Sequence, residues 1–150
     1  MAHVLAAFWY VAGLTSVQLA LVRGWQTQDI KTKVEAFDEA SHYQGVLMVP
    51  GGIAVVATGL FFWSALDYNL ASTGWLIAVE VTYIVTLLLC LPFVGMGLRR
   101  GRIAALLVQR HGKSNPELDE AMSDNVPLVF GGLAAILIPV AVALSVFRPF

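Results

Sequence analysis

A chain of 150 residues that is 58% hydrophobic and 13% charged, with a mean hydropathy of +0.75, is too apolar for a soluble domain of its size. Its formal net charge of -1 and pI near 6.3 argue against nucleic-acid binding, which usually shows a basic face, so no nucleic-acid partner is expected. The single cysteine, Cys90, excludes an intrachain disulfide and a thiolate zinc site.

A bilayer core about 30 Å thick takes roughly 20 apolar helical residues. Four runs reach that length, at 2–22, 45–66, 75–98 and 126–147. They predict an all-α integral membrane protein: a four-helix bundle with residues 1–150 as one transmembrane domain and the lipid bilayer as its main surroundings. The first run lacks the Lys or Arg n-region of a secretory signal and is longer than a typical signal h-region, so it is expected to stay as the first helix. Ala2, Ala6, Ala7, Ala12 and Gly13 give that helix small residues at which a neighbour can approach closely.

Segment 23–44 carries Ile30, Val34 and Phe37 at helical spacing with charges between them, so the second helix is expected to begin before the lipid does. Pro50-Gly51-Gly52 falls early in the second span, Pro92 late in the third and Pro139 in the fourth, after Gly131-Gly132. Each proline removes a backbone donor and predicts a local bend or unwinding. Gly51 and Gly52, and the GxxxG pair Gly97 and Gly101, are candidate helix-packing positions. Ile103, Leu106 and Leu107 continue the third helix past its lipid-facing part, and Gly112 is the expected stop. Ser114-Asn115-Pro116-Glu117 predicts a capped helix start, and Asp124 or Asn125 before Pro127 predicts another. Trp25, Trp63, Tyr68 and Trp75 stand where an aromatic belt meets the headgroups.

Basic residues near span ends are retained in the cytoplasm. Arg23, Lys31 and Lys33 lie in segment 23–44, and Arg99, Arg100, Arg102, Arg110 and Lys113 in segment 99–125; the opposite side has only Arg148. The expected topology is therefore multi-pass in the cell inner (plasma) membrane, with both termini outside and helical extensions into the cytoplasm at 23–44 and 99–125.

Two residues could carry chemistry. Glu80 is a carboxylate about 8 Å along the third helix from Trp75 at 1.5 Å per residue. Such a group is costly in lipid unless it is protonated, paired or facing water. It is either a proton-relay or ligand-facing acid or a neutral acid bonded to a neighbouring helix. His3 enters the same half of the membrane from the first span, where it could share a proton with Glu80, ligate a haem iron beside Phe8, Trp9 or Tyr10, or simply be wetted by headgroups. Met1-Ala2-His3 also has the pattern of a copper site at a free amino terminus. His42 and His111 fall on the opposite side from His3 and cannot share a haem with it. No HExxH, CxxC, nucleotide-binding glycine loop or serine-nucleophile motif is present.

Several segments carry a resemblance: His3 followed by Phe8-Trp9-Tyr10 and Gly13; Val49-Pro50-Gly51-Gly52; Thr58-Gly59-Leu60; Gly74-Trp75-Leu76; and Val146-Phe147-Arg148-Pro149-Phe150. The chain resembles a superfamily of small four-span bacterial membrane proteins. Within it the chain is most similar to a group of predicted integral membrane proteins, and more distantly to HemJ-type protoporphyrinogen oxidases and CopD-like copper-resistance proteins. The HemJ resemblance implies His3 as a ligand to haem b and a lysine shortly after Gly-Trp-Leu. Val79 stands at the lysine position, with Glu80 beside it, so the oxidase lacks its cation here.

The small residues on several helices, the short loops and the few polar groups in the spans point to an accessory or assembly subunit working with other membrane subunits. The alternatives are a haem b-binding redox protein, or a small transporter or copper-handling protein in which Glu80 and the broken helices line a path.

Overall fold

The computed structural model describes residues 1–65 and 73–148. All regular structure among them is helical: α1 (Ala2–Gln26), α2 (Ile30–Tyr43), α3 (Val49–Ala65), α4 (Gly74–Val85), α5 (Leu91–His111), α6 (Pro116–Met122) and α7 (Val126–Phe147). The anticipated Tyr68 belt position, the turn after the second span and the final Pro149-Phe150 lie outside the described residues.

Four helical stretches are long and apolar enough to cross a membrane: Ala2–Gln26, Ile30–Ala65, Gly74–His111 and Pro116–Phe147. The second joins α2 to α3 and the third joins α4 to α5, each through a five-residue π-helical turn, Gln44–Met48 and Thr86–Cys90. The third stretch has 38 residues, roughly 57 Å at 1.5 Å per residue and nearly twice a bilayer core, so it projects beyond the lipid.

Each π turn comes shortly before a proline. A proline ring has no N–H and presses on the carbonyl four residues earlier. In both joined helices the proline, Pro50 or Pro92, comes two residues after the π turn, whose extra residue widens the coil ahead of it. The turns are closed by Val49 N–H donating to the Gln44 carbonyl and Leu91 N–H donating to the Thr86 carbonyl. Both swing residues into the core, since Met48 and Cys90 are fully buried. Pro139 differs: α7 runs through it as unbroken α-helix.

α1 is the most buried spanning helix and packs on α2, α3 and α7, while α4 and α5 pack on α7. Glycines permit the closest crossings. A Cβ on Gly13 would stand 2.5 Å from the Met48 nitrogen, and one on Gly51 2.8 Å from the Tyr10 Cα, so α1 meets the π turn and α3 backbone to backbone. A Cβ on Gly97 would stand 2.6 Å from the Pro127 ring, and one on Gly101 3.2 Å from Phe37. Gln18 of α1 reaches α7, where its amide donates to the Pro127 carbonyl at 3.4 Å in the space left by Gly131. In the spans Thr82, Thr86 and Ser145 donate to carbonyls of their own helices, those of Ala78, Thr82 and Ala141.

The two ends of the bundle differ. At one end the close of α7 lies beside the start of α4, with Arg148 placed 5.1 Å from the Trp75 ring in a cation–π contact. At the other, α2 packs on α1 and α5, and ion pairs join Arg102 to Asp38, Arg23 to Glu39 and Arg100 to Asp124. Asp29 caps α2 by accepting from the Thr32 N–H at 2.9 Å and hydroxyl at 2.7 Å. Those bonds hold its carboxyl below its ordinary range. α5 stops at Gly112, in the left-handed region at φ 64°, and Asn115 caps α6 with proline in the first turn.

Candidate functional site

His3 is oriented by a hydrogen bond to a neighbouring helix. It lies in the first turn of α1, and the antiparallel packing of α1 on α3 sets it beside Thr58 and Gly59. Its Nδ1 is 2.9 Å from the Thr58 Oγ1. A Cβ on Gly59 would come within 3.4 Å of the imidazole Cε1, so the ring rests flush on the α3 backbone. The quoted segments thus meet in register along one seam: His3 on Thr58-Gly59, Tyr10 on Gly51-Gly52, and Gly13 on the π turn before Pro50.

Glu80 stands elsewhere. It is partly buried on α4, which packs against α7, and the structure does not join it to His3. It lies close enough to Tyr83 to interact with it electrostatically. Among the described residues its carboxylate forms no hydrogen bond or ion pair. Tyr83 itself donates to the Gly52 carbonyl at 2.6 Å, and it also lies near Tyr10, which in turn is near the buried Cys90. A polar seam of Glu80, Tyr83, the Gly52 carbonyl and Tyr10 therefore runs from α4 across to α3 and α1.

The other histidines are far from this region. His42 sits at the end of α2, edge-on to Tyr43 at 5.9 Å, and His111 at the end of α5 has its Nδ1 3.0 Å from the Leu107 carbonyl. Between His42 and Thr58 the helix rises roughly 24 Å at 1.5 Å per residue. Among the described residues no group of three or more His, Cys, Asp or Glu side chains comes together to hold a metal ion. Met1 begins the chain beside His3, and Val79 lies on α4 next to Glu80.

Thr58 and Tyr83 are the two residues that sequence reasoning did not single out. Thr58 carried a signal, being the polar residue in the quoted Thr58-Gly59-Leu60 segment, but its partner is 55 positions away. Only the pairing of α1 with α3 reveals it.

Four apolar helices crossing lipid, joined by short connections and tied by charge pairs at one end, define an integral membrane protein of the helical-bundle class. A family model described as Predicted integral membrane protein (DUF2269) matches residues 1–149, and the chain belongs to that family. No curated protein and no solved structure matches it.

Proposed function

We propose that the protein is an accessory subunit of a larger membrane complex, working as one transmembrane domain, and that it contributes one haem-ligating imidazole, His3. The observation that carries this reading is the bond at 2.9 Å between His3 Nδ1 and Thr58, which engages one ring nitrogen and leaves Nε2 as the other. A histidine held through one ring nitrogen is suited to bind a metal centre through the other.

The donor set favours a porphyrin over a bare ion. A copper ion on His3 would need further ligands, and the described residues supply no converging group. Haem b brings four nitrogens of its own and would need few ligands from the protein, of which His3 would be one. When bound, it would supply one-electron redox chemistry; the chain's part would be to hold it through the His3 imidazole. Val79 in place of the lysine expected from the HemJ resemblance argues against carrying over oxidation of a porphyrinogen. The excess of basic residues at 23–44 and 99–125 supports an inner-membrane orientation with His3 in the outer half.

Hemin added to detergent-purified protein is expected to give a Soret band that saturates at one haem per chain and is lost in His3→Ala. A band equally strong in His3→Ala, or none in the wild type, overturns the haem part. Stoichiometric partner chains are expected to co-purify in mild detergent, and a preparation of this chain alone overturns the accessory part.

Glu80 favours one second reading. Its carboxylate lies in an apolar helix with Tyr83 as its electrostatic neighbour, a setting suited to passing protons during transport. Proton-coupled uptake abolished by Glu80→Gln would put transport first.

A further inference from the structure

We infer that Thr58 is a positioning residue that fixes the His3 imidazole as its Nδ1–H tautomer, making Nε2 the ligand atom; the second half of this statement rests on the haem-ligating reading above, the first does not. Thr58 Oγ1 is 2.6 Å from the Ala54 carbonyl oxygen and 3.2 Å from that of Val55. Carbonyl oxygens only accept, and the hydroxyl has a single proton. Two oxygens 2.6 Å apart with no proton between them repel, so that proton points along α3 at Ala54. The threonine then faces His3 with a lone pair.

Across the 2.9 Å gap Nδ1 must therefore be the donor. The alternative tautomer, with its proton on Nε2, would set an Nδ1 lone pair against the Oγ1 lone pair. In a neutral imidazole the proton is thus held at Nδ1, and Nε2 is the basic nitrogen, free to bind a metal centre. A bond from Thr to the carbonyl four residues back is common within helices. Here it aims a second bond at a different helix, and α3 reads out through Thr58 the state of a ring carried on α1.

The test is 15N NMR of protein labelled at the histidine ring nitrogens, in detergent micelles, about two units above the ordinary imidazole pKa of about 6.5. His3 resonances are assigned by their loss in His3→Ala. The wild type is expected to show His3 protonated at Nδ1 and bare at Nε2; Thr58→Val is expected to lose that preference and Thr58→Ser to retain it. Hemin affinity should fall roughly 10–100-fold in Thr58→Val, as for other second partners of ligating histidines, and recover in Thr58→Ser. A wild-type His3 protonated at Nε2 overturns the assignment, and needs no variant to be read. So does a Thr58→Val protein with an unchanged tautomer. If the nitrogen signature is as stated but hemin does not bind, the tautomer assignment stands and the haem reading falls.

Discussion

Gly13 and Gly132 are chemically the same and structurally opposite. A Cβ at Gly13 would meet the backbone of Leu47 and Met48 at 2.5–2.7 Å, where nothing flexible can yield, whereas a Cβ at Gly132 meets nothing within 4 Å. Gly13→Ala is therefore expected to destabilise by about 1–3 kcal/mol, the usual cost of overpacking, and Gly132→Ala to be neutral or slightly stabilising. Thermal unfolding in one detergent compares the two. Gly131 is intermediate in kind, because what would collide with its Cβ is the Gln18 amide, so Gly131→Ala should also break the Gln18 bond to the Pro127 carbonyl. Small residues were visible in the sequence as candidates for close packing, but nothing local distinguishes a glycine pressed on backbone from one facing open space. That difference is set by a partner helix dozens of positions away.

Helix lengths and caps were more legible. Gly112, Asn115 and Pro116 end and start helices as their chemistry dictates, because φ above zero, a side-chain acceptor and a missing N–H are local properties. Prolines marked where bends were expected, yet the form of the distortion was not readable. Pro50 and Pro92 each follow a π turn that buries Met48 or Cys90, while α7 passes through Pro139 without one. The charged ends of α2 and α5 hold together by exposed pairs, Arg102 Nε donating to Asp38 Oδ1 at 2.6 Å. Both side chains are about half exposed, so a double-mutant cycle on Arg102 and Asp38 should return less than about 1 kcal/mol. The Asp29 cap gives a pH prediction. Its folded carboxyl titrates below the ordinary value of 3.8, so its contribution is complete above that value and disappears as pH falls through the lower folded one. Amide exchange at Thr32 should quicken in that acidic window, and Asp29→Asn should remove the pH dependence.

At the scale of the molecule, the spans follow from hydropathy alone, because an apolar run of about 20 residues crosses lipid as a helix that satisfies its own backbone. The arrangement of those spans does not. His3 and Glu80 enter the bundle from the same end, and a sequence cannot say which neighbour each will face. The packing of α1 against α3 and of α4 against α7 gives His3 the hydroxyl of Thr58 and leaves Glu80 beside Tyr83. Function therefore depends on which side of the membrane that end occupies. Single cysteines placed at Asn69, Lys31 and Lys113 in a Cys90→Ala chain, challenged in intact cells with a membrane-impermeant thiol reagent, decide it. Asn69→Cys is expected to label from outside, and Lys31→Cys and Lys113→Cys only after the membrane is opened; labelling of the two lysine positions in intact cells, with Asn69→Cys protected, would contradict that orientation.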